Sequence, residues 1–149
     1  MARFFEVVKN EFRKNDGEIK LPTRGSEHSA GYDFYSPVDV TIYPNESVLI
    51  WSDVRAHMYY DNTLIIATRS SMGKQPVTIA QAIAIIDSDY YDNESTGGNI
   101  GIRLFNAGKT PYKIHIGDRI AQGVFIKYLT TKTDNTTNKR VGGFGSTGM

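Results

Sequence analysis

Asp87 ends the apolar run Ala84-Ile85-Ile86 and is followed within three residues by a second carboxylate, Asp89, and a phenol, Tyr90. A carboxylate at the end of a strand can orient or deprotonate a water, as phosphoryl chemistry requires. The same placement also suits a plain turn cap. A second apolar run, Leu64–Ala67, leads into Thr68-Arg69-Ser70-Ser71-Met72-Gly73. An arginine fork, two hydroxyls and the N–H groups of a tight turn can hold a phosphate. A surface turn with a solvated arginine has the same composition. Gly117-Asp118-Arg119-Ile120-Ala121-Gln122 opens the last long run; there Arg119 suits a buried ion pair and Gln122 an amide contact. Ala30–Ser36 (AGYDFYS) is aromatic-rich around one acid, Asp33, and by itself reads as an edge strand with a solvated carboxyl group.

The C-terminus differs in composition. Thr130–Lys139 (TTKTDNTTNK) has no apolar residue and reads as a solvated linker. Arg140–Gly148 (RVGGFGSTG) follows it. A glycine-rich tail is ordinarily disordered, but this one carries the parts of a nucleotide cover. Arg140 can pair with phosphate, Phe144 can lie on a base, and glycine backbone N–H groups can wrap an anion. It is no Walker A loop, because the Lys-Ser/Thr pair is missing. His28, His57 and His115 lack metal-ligand spacing and read as structural. The chain has no cysteine, which excludes disulfides and thiolate chemistry.

The elements that must position these groups are short. Apolar, β-branched and aromatic residues cluster at Phe4–Val8, Val48–Trp51, Leu64–Ala67, Val77–Ile86, Ile100–Phe105 and Ile120–Leu129, with Gly, Pro, Asn and Asp between them. This pattern implies an all-β sandwich or barrel. No sustained helical period and no internal repeat appear. Tyr91–Gly98 (YDNESTGG) reads as a polar, flexible loop. The 149 residues suit one domain with its own core, and 40% hydrophobic with 22% charged residues suits a soluble protein. A net charge of +1 gives no footprint for nucleic acid or an anionic membrane. Met1–Asn10 has no signal-peptide pattern, and no apolar run nears the roughly 20 residues of a membrane span. A cytoplasmic location is expected, in a host's cytoplasm if a phage encodes the chain; abundant Asn, Lys, Ile and Tyr would suit an AT-rich genome.

In order and spacing, five of these segments resemble the motifs of the trimeric dUTPase family: AGYDFYS, TRSSMG, AIIDSDY, GDRIAQ and RVGGFGSTG. The resemblance covers nearly the whole chain and implies a jelly-roll-like β fold, a homotrimer and hydrolysis of dUTP to dUMP and pyrophosphate. It implies that Asp87 deprotonates the attacking water, and that Asp33 holds Mg²⁺ through water. Tyr90 would lie against the deoxyribose, while a hairpin around Gln81–Ile86 reads uracil through its backbone. Arg69, Ser70, Ser71, Gly73 and Gln122 would contact the phosphates. A domain over residues 1–129 would carry an arm over 130–149 that crosses to another subunit, bringing Arg140, Phe144, Gly145, Ser146 and Thr147. Ala84 stands where the family often has Gly, and Gln81 where Asn is frequent. Tyr91–Gly98 is longer than the family's usual connection and is expected to be dispensable for catalysis. Its length leaves room for a protein partner, so a regulatory protein on the same scaffold is an alternative, and a dCTP deaminase-like enzyme another.

Overall fold

The computed structural model describes residues 2–143. Among them are twelve strands and three 3₁₀ turns. The strands are β1 (Phe4–Val7), β2 (Thr23–Arg24), β3 (Tyr32–Tyr35), β4 (Val40–Ile42), β5 (Ser47–Trp51) and β6 (Val54–His57). They continue with β7 (Asn62–Ala67), β8 (Val77–Ile79), β9 (Ala84–Asp87), β10 (Gly101–Asn106), β11 (Tyr112–Ile114) and β12 (Arg119–Lys127). The turns are Asn10–Phe12, Ser70–Lys74 and Ser88–Tyr90. The all-β expectation holds.

One five-stranded sheet, in the order β2-β3-β12-β7-β9, carries most of the candidate chemistry. Its period-2 alternation separates two faces. Phe34, Leu64, Ile66, Ile120 and Ala121 turn inward and are almost fully buried. They meet Ile79, Ile102 and Leu104 from the three-stranded sheet β5-β10-β8. Each such side chain contributes roughly 1.5–3 kcal/mol through burial. The outward residues follow from the register: Gln122 lies opposite Asp33 and Ala67, Val124 opposite Ile65, and Thr63 opposite Asp87.

Three expectations are corrected. Ala30–Ser36 does not form an edge: β3 lies between β2 and β12, and Asp33 is buried and ion-paired. The run Val77–Ile86 is not one strand or a hairpin. β8 pairs with β10 and β9 with β7, so residues 80–83 form a corner between sheets, turned by Ala82 at φ 73°. Tyr91–Gly98 is not a free loop. Arg55 pairs with Glu6 at 2.8 Å and with Asp92 at 3.2 Å and lies over the Tyr91 ring, while the Tyr91 hydroxyl donates to Glu6. Asn93, Gly97 and Gly98 are buried. Polar composition suggested solvent, but these polar groups find partners within the protein.

The N-terminal segment is tied down by Asp53, which has no solvent exposure. Its carboxyl group accepts from Lys14 N and Asn15 N, both at 2.9 Å, from Asn15 Nδ2 at 3.0 Å and from Asn99 Nδ2 at 2.8 Å. Its own N–H donates to Asn99 Oδ1 at 2.9 Å. We predict that Asp53→Ala, which strands these donors, lowers unfolding free energy by about 3 kcal/mol. Urea unfolding at fixed protein concentration measures this; a change below about 0.5 kcal/mol, the scale of ordinary surface substitutions, would show that the clamp does not hold the segment.

Candidate active site

Two clusters lie on the outer face of the five-stranded sheet. At one corner Asp33 accepts from Arg69 Nε at 2.8 Å, and its other oxygen is 3.7 Å from Arg119 Nη1. Arg69 also donates to Ser71 Oγ at 3.1 Å, and Gln122 Nε2 donates to the Thr68 carbonyl at 3.0 Å. Gly31 makes room for Gln122, since a Cβ there would overlap its carboxamide. Asp33, Arg69, Ser70, Arg119 and Gln122 line a cleft of about 410 Å³. A second cleft of about 550 Å³, with Arg69, Ser71, Lys74 and Arg119, adjoins it. Three cations in adjoining open clefts suit a polyanion. Ser70, Ser71 and Gly73 sit in the exposed turn that follows β7.

At the opposite corner β9 ends in Asp87, and the 3₁₀ turn that follows carries Asp89 and Tyr90. Tyr90 is buried, and its hydroxyl donates to the Asn99 carbonyl at 2.7 Å. Burial pushes its phenol above the ordinary value, against a smaller lowering by the Thr96 hydroxyl and by Arg140. Ile86 holds β9 in place by accepting from Thr63 Oγ1 at 2.9 Å. Gln81, Ala82 and Ile83 are exposed at the inter-sheet corner. Among the described residues β8 and β9 each pair on one side only; on β8 the Ile79 carbonyl already accepts from Ala82 N and Thr78 Oγ1.

Residues 130–139 are solvent-exposed, but Arg140 returns to its own chain. Its Nη2 is 2.5 Å from Asp87 Oδ2 and its Nε 2.8 Å from Asp89 Oδ1, with the side chain 12% exposed. The physical reason is a planar fork meeting two carboxyl groups two residues apart. The linker is long enough to turn back as well as to cross. Phe144, Gly145, Ser146 and Thr147 lie outside the described residues.

Within one chain the clusters do not meet. Asp33 and Asp87 are three strands and four residues apart in the sheet register. At ~4.8 Å per strand and ~3.3 Å per residue, that is roughly 20 Å. Ile65, Val124, Ile126 and Ile85 lie on the same face, and Ile85 is 61% exposed. Among the described residues no group of three or more His, Cys, Asp or Glu could hold a metal, and no helix is long and apolar enough to cross a membrane. His57 is bound to the Ala2 carbonyl and stacked on Phe4, as a structural histidine would be. Sequence reading passed over Asp89 as a partner of Arg140; the repeated acid in Asp87-Ser88-Asp89 was the available signal. It also passed over Asn93 and Thr96, for which there was none.

A model of the family described as dUTPase matches residues 17–148. The deoxyuridine 5'-triphosphate nucleotidohydrolase of Lactococcus lactis subsp. lactis (strain IL1403) is 38% identical over 149 residues, covering 98% of this chain and 97% of the relative. The protein of the same description from Vaccinia virus (strain Copenhagen) is 37% identical, covering 93% and 92%. Among solved structures, the dUTPase of Streptococcus mutans superposes with a TM-score of 0.77 at 29% identity, over 86% of this chain and 98% of that one. The dUTPase of phage phi11 of S. aureus, which coordinates a structural Mg(II) ion, shares the fold (TM-score 0.71, 19% identity, 93% and 98% covered).

The buried Tyr90 phenol gives a test of this geometry. The folded chain holds that proton more tightly than the unfolded chain, so its contribution to stability is present below about pH 10 and lost as pH rises through the folded value. The alkaline absorbance titration of wild type minus that of Tyr90→Phe should therefore show one phenol titrating above pH 10. A difference curve at or below pH 10 would mean that Tyr90 is solvated.

Proposed function

The chain belongs to the dUTPase family, and from that premise we infer that it is a dUTP diphosphatase in which Asp87 takes the proton of the attacking water. The reading is carried by one observation: Asp87, half exposed at a strand end, shares a corner with its near neighbours Asp89 and Tyr90 and with Arg140, which arrives from 53 residues further along the chain. The water oxygen bonds to the α-phosphorus, its proton passes to Asp87, and the bond from the α-phosphorus to the bridging oxygen breaks to release pyrophosphate. Arg140 occupies Asp87 in the free chain. A triphosphate competes for that guanidinium, and its transfer to phosphate frees Asp87 to receive the proton.

The remaining roles follow from position. Arg69, Ser70, Ser71, Gly73 and Gln122 form the phosphate corner. The open backbone around Gln81–Ile86 reads the uracil edge. A base with the wrong donor pattern leaves buried groups unpaired there, which costs far more than a missing methyl contact. Tyr90 packs against the sugar. Phe144, Gly145, Ser146 and Thr147 complete the cover at the end of the arm, over residues 130–149, with residues 1–129 as the body. Magnesium fits this donor set only with the substrate: it is ordinarily held by one or two carboxylates plus phosphates and waters. Asp33, already bound to Arg69, offers it an outer-sphere contact through water. When bound, the ion neutralises phosphate charge and polarises phosphoryl oxygens.

A complete site needs a second copy of the chain. The two corners are too far apart for one triphosphate, and the apolar strip Ile65, Val124, Ile85 and Ile126 between them is the kind of surface that a symmetric oligomer covers. We take the assembly to be the family's homotrimer, acting in the cytoplasm, or in a host's if a phage encodes it. A protein partner on Tyr91–Gly98 would find Asp92, Glu94 and Ser95 as its exposed residues.

Two measurements test this. Pyrophosphate release from dUTP should fall about 10²–10⁴-fold in Asp87→Asn with the fold retained, the usual cost of losing a general base; near wild-type turnover would remove Asp87 from the role. Asp87→Asn co-expressed with Arg69→Ala should recover activity, because the intact halves can meet across an interface. Roughly a quarter of the sites would be complete with random equal assembly. Activity no greater than that of the two parents would mean that each chain builds its site alone.

A further inference from the structure

Asn99 is 1% exposed, and each of its polar groups has a partner. Its Oδ1 accepts from Asp53 N at 2.9 Å, while its Nδ2 donates to Asp53 Oδ1 at 2.8 Å and to the Phe12 carbonyl at 3.2 Å. Its own N–H donates to the Thr96 carbonyl at 3.1 Å. The residue after it is tied to the same segment as Asp53: Ile100 N donates to the Val54 carbonyl at 2.9 Å, and the Ile100 carbonyl accepts from Ser52 N at 3.0 Å. The residue before it, Gly98 at φ 79°, brings the chain so close to the Tyr91 carbonyl that a Cβ there would overlap it.

The remaining group, the Asn99 carbonyl, accepts the Tyr90 hydroxyl at 2.7 Å. Packing in the core holds the Tyr90 ring without direction, whereas a hydrogen bond at its tip fixes where the tip lies. That distinction matters for selectivity. An apolar contact by itself rejects a substrate with one added hydroxyl only weakly. Rejection of a 2′-hydroxyl therefore depends on a ring that cannot give way.

We propose that Asn99 is a positioning residue for sugar selectivity: its carbonyl holds the Tyr90 hydroxyl, and its side chain, locked to Asp53, keeps that carbonyl and the ring from yielding to a ribonucleotide. The buried Asp53, which also holds Lys14 N and Asn15 N, is the fixed end of this chain of contacts. The proposal rests on the reading in which Tyr90 packs against the sugar of dUTP, but the tie between Asn99 and Tyr90 can be measured without nucleotide.

The test compares kcat/KM for dUTP, UTP and dCTP in wild type, Asn99→Ala, Tyr90→Phe and the double variant. Each single change should lower the preference for dUTP over UTP about fivefold, the equivalent of one hydrogen bond, and leave the preference over dCTP in place. The double variant should lose no more than either single one, because both changes break the same tie. An unchanged preference over UTP would overturn the proposal. So would an equal loss against UTP and dCTP, which is what general loosening of the site would give, or losses that multiply in the double variant. Without nucleotide, the Tyr90 phenol, assigned by difference from a matching Tyr90→Phe protein, should titrate at lower pH in Asn99→Ala that is still folded by circular dichroism. The same titration as in wild type would show that Asn99 does not hold the ring. If Asn99→Ala fails to fold, Tyr90→Phe decides: a full preference for dUTP over UTP in that variant would overturn the proposal. A lowered phenol titration in a protein that does not hydrolyse dUTP at all would uphold the tie and remove the proposed function, and the sugar role with it.

Discussion

The alternation of the five-stranded sheet is the constraint on which the rest depends. Because side chains alternate strictly, Leu64 and Ile66 can fill the core only if Thr63, Ile65 and Ala67 face outward. The partner strands inherit that choice through the register, which sends Asp33, Gln122, Val124 and Asp87 to the same outer face. A slip of one residue in β12 or β9 would exchange them with Ala121 or Ile86, burying charge and exposing core. Core packing thereby fixes where the chemistry can be, before any ligand is considered.

The same register keeps the two corners apart. Arg69, Lys74 and Arg119 make one corner cationic, while Asp87 and Asp89 make the other acidic. In the proposed reaction the triphosphate uses the first and its attacking water the second. Separate placement keeps the acid from being neutralised by the cations that bind substrate, and assembly can then join them. Arg140 is the cation that reaches the acidic corner. It is carried on a linker without core contacts, so it can leave when a stronger anion arrives.

The segment Tyr91–Gly98 shows how polar residues become structure. Tyr91, Asp92 and Asn93 have the composition of a solvated loop, yet each meets a partner: Glu6, Arg55 and the Ser95–Thr96 backbone. None of these contacts needs apolar surface, so hydrophobic patterning could not reveal them. Arg55 is buried only because Glu6 and Asp92 flank it, which is the usual condition for burying a charge.

The sequence by itself determined the β class, the main strands and the order of the five motifs. These follow from local alternation, from turn residues and from side-chain types that chemistry requires. It also determined the solvated linker, because ten residues without apolar surface have nothing to bury. What it could not determine depends on partners far along the chain. Asp33 reads as solvated until Arg69, 36 residues later, is folded onto it. Val77–Ile86 reads as one strand because hydrophobicity does not show that Ala80–Ile83 turns a corner between sheets. Nothing in the type or spacing of Arg140 points to Asp87 and Asp89, 53 and 51 residues earlier, as its partners. Residue type is written locally, but proximity is a property of the closed fold.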